Sequence, residues 1–214
     1  AAVGGNSAGA SIAVMVNQSE VNASLAGDAK KEKTITADGI TVAAENAYNG
    51  AASDTEESDK TAKTVAVGFA GGTSQFAGSG SVTVNVIDQK ADATIEKGKY
   101  DAGKKDVRVE AKNAAELFGL AGGVSVSAGS GLGAAVDVQT YKGHTYAGLA
   151  DGVTLKKAAA VHVDAASTEH MKSIAATLAG GAGSFAGAGA AGAHSIATDT
   201  KAYIGQQSEV TDAG

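Results

Sequence analysis

The sequence predicts an all-β fold, a β-solenoid built from degenerate repeats of about 55 residues. Three observations predict it. Large apolar side chains are scarce: Val, Ile, Leu and Phe total 39 of 214 residues, against 47 Ala and 30 Gly. Such a chain is poorly supplied for a thick core of interlocking large side chains, and a thin, regular core of small residues suits it better. Proline is absent, although about 5% is ordinary usage. Proline removes a ladder donor and is confined to strand edges and bulges, so a chain that stacks strand on strand gains by avoiding it. Finally, the chain repeats itself.

Four markers recur in the same order. A glycine pair opens each copy, at Gly4-Gly5, Gly71-Gly72, Gly122-Gly123 and Gly180-Gly181. Alternating text follows: Ser11-Ile12-Ala13-Val14-Met15-Val16, then Ser81-Val82-Thr83-Val84-Asn85-Val86, then Ala134-Ala135-Val136-Asp137-Val138, then a weaker His194-Ser195-Ile196-Ala197-Thr198. An Ala-x-Ile/Leu triplet comes next, beginning at Ala23, Ala93, Ala147 and Ala202. The last marker is a strand ending in alanine, at Ile40 to Ala44, Val107 to Ala111 and Val161 to Ala165. The repeats are placed at 1–66, 67–119, 120–176 and, in part, 177–214 of a single solenoid piece. The first is longer because it carries two polar insertions, 28–33 and 51–63, and insertions of this kind map to loops leaving a regular stack.

Within each copy the period is two, which is strand text with one face buried. Valine suits a pleated surface. Two stretches look helical in isolation, 110–120 and 155–178, since alanine is the best helix former. The strictly alternating strands that bound them favour β structure there as well. A rung of roughly 20 residues at a strand spacing of about 4.8 Å gives about ten rungs.

Composition excludes several function classes. With no Cys there is no disulfide, thiolate zinc site or cysteine nucleophile. Arg108 is the one arginine, the net charge is −6, Trp is absent and aromatics are few, so neither a phosphate-tracking nor a base-stacking nucleic-acid surface is expected. No apolar run reaches the ~18–20 residues of a membrane-spanning helix. Residues 1–10 lack the charged-then-apolar order of a secretory signal, as in a mature chain or an excised piece.

The text Ser81-Val82-Thr83-Val84-Asn85-Val86, the Ala-x-Ile and Val-x-Val-x-Ala motifs that follow, and Thr200-Lys201-Ala202-Tyr203-Ile204-Gly205 after the glycine-rich 182–192 resemble the repeats of large bacterial surface adhesins. These are the filamentous-haemagglutinin-like and leukotoxin-like passengers of type V secretion. The likeness runs along nearly the whole chain in short, degenerate motifs. It implies a right-handed parallel β-helix shaft on the cell surface, exported through an outer-membrane transporter. Host-cell or bacterial surface molecules are the implied partners, and the likeness brings no catalytic residue with it. The first three copies depart from the full Thr-Lys-Ala-Tyr-Ile-Gly text, and the insertions are private to this chain.

Candidate chemistry is thin, and no catalytic, cofactor or metal site is expected. His144, His162, His170 and His194 show no ligand-pair spacing and read as solvated histidines. Asp54, Glu56, Glu57 and Asp59 could offer oxygen ligands to Ca²⁺, but lack the glycine spacing of known calcium loops and read as a solvated loop. Asp88, Asp92, Asp137, Asp151 and Asp164 fall at positions expected to face solvent. A glycan-cleaving carboxylate pair is therefore the least favoured function. Gly78-Ser79-Gly80 and Gly129-Ser130-Gly131 lack the helix and Lys-Ser/Thr of a phosphate loop. Among Tyr48, Tyr100, Tyr141, Tyr146 and Tyr203, the pair Tyr141 and Tyr146 flanks Lys142 and His144. Exposed tyrosine is a common contact residue, and a turn-filling tyrosine is the plainer alternative. The sequence thus favours a structural and adhesive shaft without catalysis. An end-to-end self-associating filament, propagated through open strand edges, is the alternative.

Overall fold

A computed structural model describes residues 2–27, 33–48, 62–73, 75–183 and 185–211. The chain is all-β; among the described residues there is no helix. The strands are β1 (Ala2–Gly4), β2 (Ser7–Leu25), β3 (Thr34–Thr36), β4 (Ile40–Tyr48), β5 (Ala62–Gly72), β6 (Phe76–Ile95), β7 (Gly98–Ser127), β8 (Ser130–Leu149), β9 (Val153–Gly181), β10 (Ala186–Ile204) and β11 (Glu209–Thr211). All pairings are parallel. One sheet runs β1-β5-β7-β9-β11, with β3 and β4 also on β7; the other runs β10-β8-β6-β2. We call them sheets A and B. The chain alternates between them, and each faces the other across a thin interior.

The two stretches that look helical alone, 110–120 and 155–178, lie within β7 and β9. Tertiary pairing overrides alanine's helical preference there, as it commonly does. Strand partners stand farther apart in sequence than a rung of roughly 20 residues would put them. Ala23 lies opposite Ala93, Ala93 opposite Ala147, and Ala147 opposite Ala202. Partners are thus separated by 70, 54 and 55 residues along the chain. Each layer therefore consumes a long strand in each sheet. β7 has 30 residues and β9 has 29, so at about 3.3 Å per residue these strands approach 100 Å. Backbone bonds continue between layers through the turns: Glu96 N donates to Leu25 O, Ala150 N to Ile95 O and Gly205 N to Leu149 O, each at 2.8 Å.

Three interior zones follow one another along the strands. Next to the 95–98 and 149–153 turns is an aliphatic core, with Ala91, Ala93 and Ile95 of sheet B against Val107, Val109 and Ala111 of sheet A. Tyr100 fills the adjacent turn; its hydroxyl donates to the Glu96 carbonyl at 2.8 Å. A belt of amides comes next. Asn46 Nδ2 reaches the Ser19 and Lys90 carbonyls, each at 3.0 Å, and Asn113 Nδ2 reaches the His144 carbonyl at 2.9 Å. These amides tie sheet A to the backbone of sheet B. A small second cluster holds Ile87, Leu117 and Tyr141, and the Tyr141 hydroxyl donates to Gln89 Oε1 at 3.0 Å.

Beyond this cluster the pattern inverts. The inward residues of β6 become Asn85, Thr83, Ser81, Ser79 and Ala77, while Val82, Val84 and Val86 turn outward. The sheets approach until backbone meets backbone: a Cβ on Gly68 would lie 2.3 Å from the Gly80 carbonyl oxygen. Only hydrogen, alanine methyls or short polar groups fit between them. Val14 is 61% exposed and Leu178 is 65% exposed. The alternation read in the sequence is real, but in this half the valines occupy the outer face. Asp137, expected to face solvent, is instead wholly buried. It accepts bonds from the Thr83 hydroxyl and from Gln139 Nε2. It fits because Gly119 leaves room; a Cβ there would lie 2.2 Å from its Oδ1.

Candidate functional site

The most organised polar surface is the outer face of sheet B over the aliphatic core. The same register that aligns the alanines aligns two rows outside. One row is Glu20, Lys90, His144 and Asp199; the next is Asn22, Asp92, Tyr146 and Lys201. Period-two geometry puts these side chains on one face. Neighbours in such rows are close enough to pair.

They do pair. Lys90 Nζ lies 2.8 Å from Glu20 Oε1. Lys201 Nζ lies 2.8 Å from Asp199 Oδ2, and the Tyr146 hydroxyl donates to the same oxygen at 2.5 Å. The Lys201 ammonium sits 5.1 Å from the Tyr146 ring centroid, a cation–π distance. His144 packs edge-on against that ring at 6.2 Å. The bond from Lys90 holds the Glu20 carboxyl below its ordinary value, and bonds from Lys201 and Tyr146 do the same for Asp199. The lysine partners are raised in turn by their carboxylates. These pairs therefore stay charged through the neutral range. The carboxylate contributions are lost as pH falls through the depressed values, and the lysine contributions as pH rises through the raised ones. A shallow depression beside them is lined by Gln18, Ser19, Glu20, Asp88, Lys90 and His144. This surface suits recognition by hydrogen bonds, charge and an aromatic face.

The tyrosines divide. Tyr100 and Tyr141 point inward as fillers, and burial pushes the Tyr141 hydroxyl up to about 12. Tyr146 and Tyr203 stand on the outer face of sheet B. Tyr203 packs over Gly148, where a Cβ would lie 2.5 Å from the ring. The Tyr48 side chain and the acidic loop 54–59 lie outside the described residues.

The candidate carboxylates do not converge. Asp88 and Asp92 are outside sheet B, Asp164 is outside sheet A beside Glu110, Asp137 is interior, and Asp151 accepts from Gln206 N at 2.7 Å in a turn. His162 and His170 share one face of β9, eight residues or about 27 Å apart. His162 approaches Asp106 at 3.9 Å. Among the described residues no group of three or more metal-ligating side chains occurs. The sequence reading singled out Tyr146 with His144 but missed Glu20, Lys90, Asp199 and Lys201. Aligning the Ala-x-Ile/Leu triplets would have found them, because each lies at a matching offset before its triplet. No family model, no curated protein and no solved structure matches the chain.

Proposed function

We propose that this chain is a structural and adhesive shaft segment of a secreted bacterial surface adhesin, wound as a right-handed β-solenoid of degenerate repeats of about 55 residues. One observation carries the proposal: Ala23, Ala93, Ala147 and Ala202 lie in a single row across sheet B. A chain that returns to the same row once per repeat, on parallel strands joined through a second sheet, is coiling. Right-handed crossovers dominate parallel β connections. The shaft works outside the cell after export through an outer-membrane transporter. It presents the outer face of sheet B to host-cell or bacterial surface molecules. Scattered carboxylates give no basis for catalysis.

The test is attachment. Beads coated with the chain are applied to epithelial monolayers and to whole bacteria under flow, beside beads carrying Tyr146→Ser with Lys201→Glu. Retention of the parent beads and release of the variant beads is the expected result. Equal retention of both, or of neither, rejects adhesion through this face.

A second reading is a filament subunit. It is favoured by the outer edges of β2 and β10, the end strands of sheet B. Unpaired edges template further strands, and pairing that does not close gives fibres. Sedimentation velocity separates the two readings: a filament subunit grows with concentration, whereas a shaft segment stays at one mass.

A further inference from the structure

The segments 3–16, 64–86, 117–140 and 173–195 contain no Lys, Arg or Glu, and their only charged or titratable residues are Asp137 and His194. All four lie at the glycine-rich end of the strands. Asp137, in register with Thr83, is buried, while His194, in register with Gln139, is exposed on the end strand β10. The outside of this half is apolar on both sheets at once. Val14, Val84 and Val138 form one row outside sheet B. Val65, Leu120 and Ile174 form one outside sheet A. All four phenylalanines of the chain lie here, and Phe69 and Phe185 are 50% and 56% exposed. The interior beyond the Leu117 cluster mixes short polar groups with the buried alanines Ala66, Ala70, Ala77, Ala121 and Ala135. Among the described residues it holds no large apolar side chain, and the Ser79, Ser81, Ser125 and Ser127 hydroxyls find no partner.

We propose that this half of the molecule enters a lipid bilayer, with the charged half left outside. Three features select lipid over a second copy of the chain. A partner copy covers one face, whereas acyl chains surround both. The band runs from Phe76 to Val86 in β6 and from Leu120 to Val126 in β7, where the preceding Phe118 row carries Lys63 and Lys172 on either side. The sheet B length matches the roughly 9–11 residues of a bilayer-crossing strand, and the sheet A length is one or two pleats shorter. Polar inside with apolar outside is the alternation of membrane strands, and it is the reverse of the half that follows. The switch is abrupt: Val86 is followed on the same face by Asp88 and Lys90, and Phe118 is preceded by Glu116. Backbone groups along the β2 and β10 edges of sheet B, and along the β5 and β9 edges of sheet A that β1 and β11 leave uncovered, need partners in hydrocarbon, so deep insertion accompanies edge-to-edge pairing of copies. The lipid contact does not depend on the adhesive reading, because it uses the opposite half of the strands.

The chain has no tryptophan, which permits single-site reporters. Val84→Trp and Lys90→Trp variants are mixed with phosphatidylcholine–phosphatidylglycerol vesicles, with and without dibrominated acyl chains. Co-flotation is expected, with blue-shifted emission from position 84 and several-fold stronger bromine quenching there than at 90. Val84→Lys should weaken flotation by about tenfold or more with its strand circular dichroism intact. Should that variant misfold, Val84→Thr keeps shape and strand preference and should weaken flotation more mildly. Failure to float, or equal quenching at the two sites, overturns the proposal. So does a position-84 reporter that is already shielded without vesicles in a species of twice the monomer mass, which assigns the band to a second copy.

Discussion

At the residue scale, thinness governs tolerance. Gly68 and Gly80 are neighbours across the sheets, yet they differ in what a methyl would meet. A Cβ on Gly68 would collide with the Gly80 carbonyl, while one on Gly80 meets nothing within 4 Å. Because the obstacle is backbone, relief requires moving a strand. Gly68→Ala should cost about 1–3 kcal/mol, the usual range for overpacking, and Gly80→Ala should fall within about 0.5 kcal/mol of the parent. Urea unfolding midpoints check both. The sequence did not distinguish these two glycines, since both stand in one glycine-rich stretch, 68–80. Period two identifies two faces but not which of them is inside, and a one-residue shift exchanges them. That is why the outward valines of β2, β6 and β8 were not foreseen, and why Asp137 was expected to face solvent although it is buried.

At the element scale, the amide belt clamps the sheets together. Asn113 Nδ2 donates to the His144 carbonyl and to Thr145 Oγ1, at 2.9 and 2.8 Å. Asn113→Ala leaves a buried carbonyl and hydroxyl short of a donor, so a loss of about 1–3 kcal/mol is expected, read from the same midpoints. Tyr141 adds a pH dependence. Its folded value of about 12 stands above the ordinary tyrosine value of 10.0. The fold thus prefers the protonated hydroxyl. That preference contributes in full below pH 10 and is lost as pH rises toward 12. Stability should hold from neutrality to about pH 10 and fall between about pH 10 and 12, and Tyr141→Phe should flatten that fall. Ultraviolet difference spectra should show Tyr141 among the last phenols to ionise. Two markers were legible at this scale: the Ala-x-Ile/Leu triplets, and the text from Ile40, Val107 and Val161, stand partner to partner. Two were partly misplaced. Gly122-Gly123 pairs with Val67-Gly68 rather than with Gly71-Gly72, and His194 lies opposite Gln139 instead of Ala134. In a chain this rich in Gly and Ala, short motifs recur by composition alone.

At the scale of the whole molecule, layers contact only neighbouring layers, so stability should accumulate layer by layer. A chain shortened after Leu149, which removes β9, β10 and β11, should lose far more stability than its share of residues. Circular dichroism melts would register this as a lower and broader transition. All-β character was legible from missing proline and alternation. The division into a charged half and an uncharged half was also present in the sequence, as four charge-free segments, but it acquires meaning only when the register brings them to one end. Helix-based tests for membrane spans do not detect such a band, and no helix of the described chain is long and apolar enough to cross a membrane.

The wide separation of strand partners along the chain, Ala23 from Ala93 and Ala93 from Ala147, also bears on kinetics. No ladder closes until more than 50 residues of polypeptide lie between the partners, so nearly every stabilising contact is remote in sequence. Loop-closure entropy must be met before pairing returns any enthalpy, and such topologies are slow to nucleate. Once one layer is ordered, its edge presents the next strand with a ready template, and growth from that seed should outpace fresh nucleation. A polypeptide delivered gradually from one terminus would meet that template in order, whereas dilution from denaturant offers many competing registers.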